Sequence, residues 1–424
     1  MTRVISALGR RITYAWQRSM LWLGSCDGTI ATGGPLFALL GRRRSCRGID
    51  LSSLHRILVV RLDDIGDLVL STPFLRNLRN VVPRAFITLV VKPSVYDLVE
   101  HCPYVNEVLT YDPGPLQEIT SPDRQWRTLR FAARYLWRRR FDVAIVPRWD
   151  ADLYHASFVA YWSGAIRRFG YSEQVIEHKR AMNRGYDRLY SHVLFDNALK
   201  HEVERGLDLI RFMGGCAQSS SLELWSTILD EERIRHMLQT HGVGQQDVLI
   251  ALGIGAASQT RRWPLTNFIQ LGKWLQQQCG ARMVIVGGPE EVSMGRTLQQ
   301  SLNGGVINAV GTTSLRELGV LLKACALFIG NDSGPMHVAA AAGVPVVEIS
   351  CHPADGNPHL SNAPRRFGPW GVASAIVQPA TGVGECRESC TANEAHCIRN
   401  VDMRAVQKAV ATCLLKQPSP AMQV

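Results

Sequence analysis

The stretch Phe328-Ile-Gly-Asn-Asp-Ser-Gly-Pro-Met-His-Val-Ala-Ala-Ala-Ala-Gly-Val-Pro-Val-Val347 decides the fold of this chain. It predicts a strand, a polar elbow, a short helix and a second strand. Pro335 suits the first turn of that helix, and Gly343 is placed to end it. The free N–H groups and the positive dipole end of such a helix start bind phosphate well. The competing interpretation is a tightly packed turn in which Asp332 or Ser333 caps the helix.

Short apolar segments alternate with amphipathic segments from Arg56 onward. This alternation is typical of parallel sheets that are covered by helices on both faces. It predicts an α/β protein with two Rossmann-like parallel-sheet domains facing a central cleft, and ligands at the carboxyl ends of the strands. We place these domains at residues 51–225 and 240–400. A basic amphipathic N-terminal arm (1–50) precedes them, and a C-terminal helix and tail (401–424) follow.

The same pattern predicts the individual elements. In the first domain, the predicted strands are Ile57–Arg61, Phe86–Val91 and Asp142–Val146, and the predicted helices are Leu68–Asn80 and Trp126–Arg140. In the second domain, the predicted strands are Val248–Leu252, Met283–Gly287, Val306–Val310, Leu327–Gly330 and Val346–Ser350, and the predicted helices are Leu265–Gln278 and Leu315–Ala324. We expect the hinge between Gly215 and Gly244.

The composition of the chain limits the classes of partner that it could bind. The 424 residues carry a formal net charge of +11, which favours nucleic acid, an anionic membrane or a phosphorylated substrate. No zinc-finger spacing or aromatic RNA-binding octamer is present, so we expect no nucleic acid. No apolar run approaches the ~20 residues of a membrane span. The eleven cysteines are scattered and odd in number, which favours reduced cytosolic thiols over a disulfide framework.

The first fifty residues have a different character. Their helical spacing places one set of side chains on a basic face, namely Arg3, Arg10, Arg11 and Arg18, and another on an apolar face, namely Val4, Ile5, Leu8, Ile12, Trp16 and Leu23. A basic amphipathic helix of this kind lies well on an anionic membrane surface. The alternatives are a helix docked on its own protein, a disordered arm and a misassigned start codon.

A second polar elbow lies within Arg56-Ile-Leu-Val-Val-Arg-Leu-Asp-Asp-Ile-Gly-Asp-Leu-Val-Leu-Ser-Thr-Pro73. Its strand is predicted to end at Arg61, so that Asp67 lies near a helix start at the carboxyl edge of the sheet. We expect the helix N-terminus to lower the pKa of Asp67 and keep it ionised. An ionised carboxylate beside a sugar hydroxyl can accept its proton during attack. The alternative is a role as helix cap or dipole partner, which suits Asp63 or Asp64 equally well.

Together these two segments resemble glycosyltransferase family 9, the ADP-heptose:lipopolysaccharide heptosyltransferases. The two motifs of the resemblance cover Arg61 to Asp67 and Asp332 to Ala341. Further matching pieces lie in order between them at Gly164–Tyr171, His201–Val203, Gly255–Pro264 and Gly287–Glu291. The resemblance extends from about residue 56 to about residue 410. It implies a GT-B fold whose N-terminal domain binds the acceptor and whose C-terminal domain binds the nucleotide-sugar.

The resemblance also implies roles for individual residues. Asp67 is the expected general base of an inverting, metal-independent transfer that needs no cofactor. The expected nucleotide-sugar site consists of Asp332, Ser333, Gly334, His337, Arg261 and Glu291. In this set Arg261 meets the diphosphate, with Arg262 as the alternative, and Glu291 meets the ribose, with Glu290 as the alternative. His337 either contacts the donor or orients the elbow.

Weaker signals concern the acceptor and metals. The weak acceptor-binding candidates are Arg61, Asp64, Arg148 and Arg167, and solvated surface is the alternative for the last two. Asp150-Ala-Asp152 is interpreted as an acidic loop after a strand rather than a metal site. Near the C-terminus, Cys386, Cys390 and Cys397 accompany His396. Their spacing is not a standard one for zinc, so we interpret them as packed reduced thiols and predict no metal.

The expected function is transfer of heptose, or a related sugar, from a nucleotide-diphosphate sugar such as ADP-heptose to a hydroxyl of a lipopolysaccharide-core-like acceptor. The expected location is cytoplasmic, as a peripheral protein on the inner face of the inner membrane, with residues 1–50 near its anionic lipids. The segment Glu348–Pro353 departs from the family pattern, so the sugar and the base stay open. The alternatives are a nucleotide-sugar 2-epimerase and a non-catalytic nucleotide-sugar-binding protein. A dehydrogenase is disfavoured because no Gly-x-Gly-x-x-Gly follows the first strand.

Overall fold

Two parallel sheets of six strands each organise the chain, for which a computed structural model describes residues 25–42, 50–115, 122–384, 386–388, 390 and 392–415. The first sheet contains β1 (Arg56–Arg61), β2 (Phe86–Val91), β3 (Glu107–Thr110), β4 (Val143–Val146), β5 (Arg167–Tyr171) and β6 (His192–Leu194). The second contains β7 (Leu249–Gly253), β8 (Arg282–Val286), β9 (Val306–Asn308), β10 (Leu327–Asn331), β11 (Val346–Ile349) and β12 (Ser374–Val377).

Both sheets have the same strand order. The first is ordered β3-β2-β1-β4-β5-β6, and the second is ordered β12-β11-β10-β7-β8-β9. Counted from the first strand of each half, both have the order of a Rossmann fold, in which the order reverses between the first and fourth strands. The crevice at this reversal opens above β1 and β4 in one half and above β7 and β10 in the other. Both polar elbows of the sequence follow strands at these reversals.

The helices in the described ranges cover both faces of the sheets. They are α1 (Cys26–Leu39), α2 (Ile65–Leu70), α3 (Thr72–Val81), α4 (Pro122–Phe131), α5 (Ala156–Trp162), α6 (Glu177–Met182), α7 (Glu202–Phe212), α8 (Ile228–Thr240), α9 (Leu265–Cys279), α10 (Val292–Ser301), α11 (Leu315–Lys323), α12 (Gly334–Ala341), α13 (Pro364–Phe367) and α14 (Met403–Leu415). None of them combines the length and apolar character that a bilayer crossing requires.

The apolar runs explain why the sheets are covered on both faces. Successive side chains of a strand point to opposite faces. In β1, Ile57 and Val59 enter one buried cluster, whereas Leu58 and Val60 enter another. A strand that is apolar at every position therefore has a hydrophobic core on each side. This confirms the two-domain α/β expectation.

The predicted strands are confirmed, although four further strands were missed. All eight predicted strands are present, and the missed ones are β3, β5, β6 and β12. Three of these lie at sheet edges, where partial exposure weakens the apolar signal. The missed central strand, β5, begins with two arginines. The single helix predicted over Leu68–Asn80 is wrong, because Pro73 occupies the first turn of a separate helix, α3.

The end of the N-terminal arm docks on the first domain. Phe37 of α1 is buried, and its ring lies 5.9 Å from that of Tyr161 and 6.1 Å from that of Trp162. Gly33 approaches Tyr161 so closely that a Cβ there would lie 2.6 Å from its ring. Residues 26–39 therefore form a helix that packs on the first domain. The basic and apolar faces predicted within residues 1–24 lie outside the described residues.

The two halves are in direct contact. Helix α2 of the first half packs against helix α12 of the second. One continuous hydrophobic cluster includes Leu68 from α2 and Met336 from α12. The connecting segment ends in α8, which packs on α11 of the second half. The C-terminal helix α14 contributes Val406 and Val410 to the second core. The cleft between the domains is therefore anchored by apolar packing below the two elbows.

Candidate active site

The first elbow places Asp67 at the carboxyl edge of its sheet. Strand β1 ends at Arg61, and α2 begins after Asp64, so that Asp67 lies in the first helical turn. The buried Arg61 guanidinium donates to the Pro147 carbonyl (2.6 Å) and to Oδ1 of Asp67 (3.5 Å), and it pairs with Asp63 (3.0 Å). The protein thus uses Arg61 to position the Asp67 carboxylate.

The pKa of Asp67 moves in the direction opposite to the sequence expectation. Burial raises the pKa of the Asp67 carboxyl group to about 6, although the Arg61 guanidinium acts to lower it. The rise in pKa that burial causes is therefore larger than the lowering caused by the helix start and by Arg61. The side chain keeps about 25% of its surface exposed, so a hydroxyl from the cleft has access to it. A carboxylate whose pKa approaches the working pH is a better general base than an ordinary aspartate.

The second elbow forms as predicted but is not capped. Strand β10 ends at Asn331, Pro335 lies in the first turn of α12, and Gly343 follows the helix with a φ of +80°. The Ser333 hydroxyl donates to the Asn331 carbonyl (3.1 Å), and no side chain in the described structure caps the helix. The capping interpretation is therefore wrong for Ser333. The Gly334 amide is left for an anionic ligand.

A cation lies beside this elbow. The Arg261 guanidinium, from the loop after β7, donates to Oδ2 of Asp332 (3.4 Å). Burial raises the pKa of the Asp332 carboxyl group, while Arg261 acts to lower it. The two residues are far apart in sequence but meet at the strand-order reversal of the second sheet. Arg261 and the start of α12 together form a positive site suited to a diphosphate.

Arg262, the next residue in sequence, contacts a different carboxylate. Arg262 donates to Oε1 of the buried Glu291 (3.1 Å), whose Oε2 accepts from the Gly288 amide (2.8 Å). A Cβ at Gly255 would lie 2.6 Å from Cδ of Glu291, so a larger residue there would displace the Glu291 side chain. The alternative residue Glu290 is exposed. Glu291 therefore lies in a fixed pocket beside the loop after β7, and Arg261 and Arg262 do not substitute for each other.

The two elbows contact each other across the cleft. A Cβ at Gly66 would lie 2.5 Å from Cδ2 of His337, and a Cβ at Gly334 would lie 2.9 Å from Cβ of Ile65. Burial lowers the pKa of His337 to about 3, so its imidazole is neutral. Its buried Nδ1 has no hydrogen-bond partner in the described structure. The glycines thus permit a close approach that larger residues would prevent.

Gly66→Ala is expected to separate the elbows. The added methyl group would overlap the buried His337 ring, and overpacking of this kind costs about 1–3 kcal/mol. We expect a lower midpoint of thermal unfolding and weaker transfer activity. Gly34→Ala is the matched control, because a Cβ at Gly34 meets no atom within 4 Å. Equal loss of stability in the two variants would contradict the proposed contact.

The acceptor candidates are only partly brought together. Arg148 follows β4 and pairs with Asp63, and its Nε donates to the Ala151 carbonyl (2.6 Å). Asp64 is exposed and pairs with Lys92. Arg167 is level with Val143 at the opposite end of the sheet, roughly 13 Å from the elbow edge at ~3.3 Å per residue. The structure therefore does not bring Arg167 to the site, because Arg167 begins its strand instead of following it.

Sequence analysis missed two residues that organise the site. Asn331 accepts from the Trp263 amide (3.0 Å) and donates to the Ile254 carbonyl (3.0 Å), which ties the Arg261 loop to the second elbow. Arg366 reaches from the second half to Asp150 (2.9 Å) and Glu202 (2.7 Å) in the first. Asn331 had a signal, as the first polar residue of the elbow. No local pattern distinguishes a buried arginine such as Arg366 from an exposed one.

The acidic loop after β4 is structural. Asp152 accepts from the Ser157 amide (2.8 Å) and hydroxyl (2.6 Å) at the start of α5. Asp150 pairs with Arg366, whose guanidinium lies 4.6 Å from the centre of the Trp149 ring. These two carboxylates are thus engaged by different partners. The arrangement agrees with the acidic-loop interpretation of Asp150-Ala-Asp152.

Two Rossmann-like halves, with an elbow of each facing a shared cleft, define the GT-B fold. A crystal structure of a family 9 glycosyltransferase from Veillonella parvula superposes with a TM-score of 0.71, at 22% identity over 88% of this chain and 100% of that one. An Escherichia coli ADP-heptose lipopolysaccharide heptosyltransferase II superposes with a TM-score of 0.60, at 21% identity over 85% and 99%.

Sequence comparison identifies the family. The profile of glycosyltransferase family 9 (heptosyltransferase) matches residues 130–394. Lipopolysaccharide heptosyltransferase 2 of Salmonella typhimurium is 25% identical over 353 residues, which cover 80% of this chain and 93% of that protein. The chain belongs to glycosyltransferase family 9. This confirms the resemblance that the two elbows carry, and it makes the protein a glycosyltransferase.

Proposed function

We propose that this enzyme transfers heptose from ADP-heptose to a hydroxyl group of a lipopolysaccharide-core acceptor, with inversion at the anomeric carbon. The observation that carries the proposal is the contact between Gly66 and His337, because it holds the elbow that contains Asp67 against the uncapped helix α12. A base and an anion site adjoining across one cleft are the two components that a single displacement on a nucleotide-sugar requires.

The first half supplies the base. The acceptor hydroxyl attacks the anomeric carbon from the side opposite the diphosphate, and Asp67 accepts its proton as the new bond forms. Arg61 holds Oδ1 of Asp67 from the protein side (3.5 Å), which leaves the exposed part of the carboxylate to the acceptor. Proton transfer to a positioned base contributes about 10²- to 10⁴-fold to a rate.

The second half stabilises the leaving group. As the bond to the sugar breaks, negative charge grows on the departing diphosphate. The Arg261 guanidinium and the Gly334 amide lie where they can accept this charge, and both belong to the fixed framework around Asn331. Because these donors need not reorganise, their effect falls on the transition state. In this proposal, the fixed cation performs the task that a metal ion performs in other sugar transferases.

The proposed identities of the donor and the acceptor are based on the substrates named for related proteins. The Salmonella relative is described as a lipopolysaccharide heptosyltransferase, and the E. coli structure is that of an ADP-heptose enzyme. Glu291, buried and fixed by Arg262 and the Gly288 amide, fits a contact with the ribose hydroxyls. The net charge of +11 suits an anionic, lipid-linked acceptor, and we propose that residues 1–50 keep the enzyme at the inner face of the inner membrane.

The function is tested by an assay with separate donor and acceptor arms. Purified enzyme is incubated with ADP-heptose, with and without a lipopolysaccharide core that lacks terminal heptose, and the products are separated by mass. We expect ADP release and a heptose adduct only when the acceptor is present. Turnover of the donor alone would indicate an epimerase instead. Binding of ADP-heptose without turnover on any core acceptor would indicate a non-catalytic protein.

Transfer should depend on pH through the Asp67 carboxyl group. Its pKa of about 6 predicts that the turnover number rises with pH through about 6 and levels above 7. The pKa of an aspartate in the unfolded state is about 3.9. Between about pH 4 and about pH 6 the folded state therefore keeps a proton on Asp67 that the unfolded state has released, and the free energy of unfolding falls as pH rises through this range. Asp67→Asn should lack this fall in a series of unfolding experiments. A rate profile that is flat between pH 5 and 8 would contradict the role of Asp67.

A further inference from the structure

Three side chains near the C-terminus converge outside the cleft. The Sγ atoms of Cys386 and Cys390 and the ring of His396 place one ligand atom each within 4.8 Å of one another. Nε2 of His396 lies 2.8 Å from Sγ of Cys386 and 3.7 Å from Sγ of Cys390. Among the described residues, no other group of three or more histidine, cysteine or carboxylate side chains is arranged so that it could hold a metal ion. Cysteine and histidine are the ligands that zinc prefers in structural sites.

The thiol of Cys397, the residue that follows His396, is the candidate for a fourth ligand. Its Sγ accepts a hydrogen bond from the Val383 amide (3.3 Å) and lies outside the group of three, so coordination requires its side chain to move toward them. Cys397 is buried, whereas Cys390 is on the exposed side of the cluster. Tetrahedral zinc with bonds of about 2.3 Å to sulfur and about 2.0 Å to nitrogen separates its ligand atoms by roughly 3.5–3.8 Å. The distance between Cys390 and His396 already fits, and the distance between Cys386 and His396 needs to open by less than about 1 Å.

The histidine is prepared for coordination through Nε2. Its Nδ1 lies 3.0 Å from the carbonyl oxygen of Glu394. A metal-bound histidine commonly donates its other ring N–H to a carbonyl or a carboxylate, which fixes the tautomer and the ring orientation. Here the donated Nδ1–H leaves the lone pair of Nε2 directed at the two thiols. The sequence spacing alone did not predict zinc, because only the fold brings the ring of His396 between the cysteines.

The cluster also braces a loop that leads to the donor elbow. Arg387 pairs with Asp355 (2.6 Å), and the Glu388 carboxylate accepts from the Asn357 side chain (3.0 Å). The carbonyl of Asn357 in turn lies 3.0 Å from Nε2 of His352, in the segment that follows β11. The end of β11 contacts the donor elbow, because the Asp332 amide donates to the Ile349 carbonyl (3.4 Å). A crosslink among residues 386–397 would therefore fix the loop at 352–357, which follows the strand that meets this elbow.

We propose that Cys386, Cys390, Cys397 and His396 bind one zinc ion in a closed, structural site. The ion has four protein ligands and no open position, so it takes no part in the transfer step. Three thiols release their protons on binding, and Nε2 of His396 contributes its lone pair. The bracing of the donor loop rests on the proposed function, whereas the metal content does not.

The test uses the full chain purified without a metal-affinity resin. We expect elemental analysis to find one zinc per chain. After removal by a chelator, added Co²⁺ should give the visible absorption of tetrahedral cobalt and a thiolate charge-transfer band. Cys390→Ser is the main variant, because Cys390 is exposed and its loss disturbs little packing. Its zinc affinity should fall by more than the roughly 10- to 100-fold that the loss of an outer partner costs.

Cys216→Ser is the matched control, since Cys216 is an exposed thiol outside the cluster. It should retain both the zinc and the cobalt spectrum. Absence of bound metal together with absence of cobalt uptake would overturn the site, as would equal metal binding by the two variants. Stoichiometric iron instead of zinc would overturn the choice of ion. If the metal is confirmed but nucleotide affinity is unchanged in Cys390→Ser, the bracing role is wrong and the site stands.

Discussion

Asp67→Asn is expected to lower the turnover number for sugar transfer by about 10²- to 10⁴-fold. The amide keeps the size of the carboxylate but cannot accept the proton of the attacking hydroxyl. Since Asp67 lies in the first half and the anion site in the second, the affinity for nucleotide-sugar should stay nearly the same. Steady-state kinetics at saturating acceptor measure the first quantity, and calorimetric titration with the donor measures the second.

The control for this experiment is Asp112→Asn. Asp112 is an exposed aspartate that caps the Gly114 amide (2.9 Å), so its substitution changes one surface charge without touching the cleft. It should transfer sugar at the rate of the unmodified enzyme. Full activity in Asp67→Asn would reject Asp67 as the base. A large loss of donor affinity in Asp67→Asn would show instead that this carboxylate belongs to the donor site.

Arg261→Gln is expected to lower the turnover number by about 10²- to 10³-fold, the usual cost of losing one donor to a developing anion. Glutamine retains hydrogen-bonding groups but carries no charge. It also leaves the buried Asp332 without the guanidinium that pairs with it at 3.4 Å. The effect should appear mainly in the turnover number, because the charge on the diphosphate grows only as the bond to the sugar breaks. Single-turnover kinetics at saturating donor isolate that step.

Arg262→Gln provides the comparison, since the two arginines are adjacent in sequence but engage different carboxylates. Arg262 holds Glu291 (3.1 Å), which we assign to the ribose. Its loss should therefore weaken binding of donor and of free ADP alike, with a smaller change in the turnover number. An effect of Arg261→Gln on KM alone would contradict its assignment to the leaving group. Identical kinetic effects of the two variants would contradict the separation of the two positions.

The strand ends were predictable from sequence, because the cause of their position is local. A parallel strand that is buried on both faces is apolar throughout, and the first polar residues after it lie at the carboxyl edge. This argument placed Asp67, Asp332 and Glu291 at the strand ends where the structure has them. Arg167 fails for the same reason, because its strand was not recognised and its position at the start of that strand was therefore hidden.

Contacts between the halves, and the pKa values that depend on them, were not predictable. The pKa of Asp67 is set by protein surrounding it on several sides, whereas sequence reasoning considered only its own helix. Arg366 is buried because Asp150, Glu202 and the Trp149 ring converge around it from another domain. Such convergence depends on the tertiary structure and cannot be predicted from the composition or the spacing of residues in the sequence.

The contact between Gly66 and His337 has a consequence for synthesis of the chain. Domains generally fold as they emerge from the ribosome, with the N-terminal one first. The first half can therefore fold while the strand that leads to His337 is still untranslated, and at that stage nothing opposes Gly66. Under the proposed roles of Asp67 and Arg261, an incomplete chain would contain the base but not the site that binds the leaving group. We therefore expect a chain truncated before His337 to be inactive in sugar transfer.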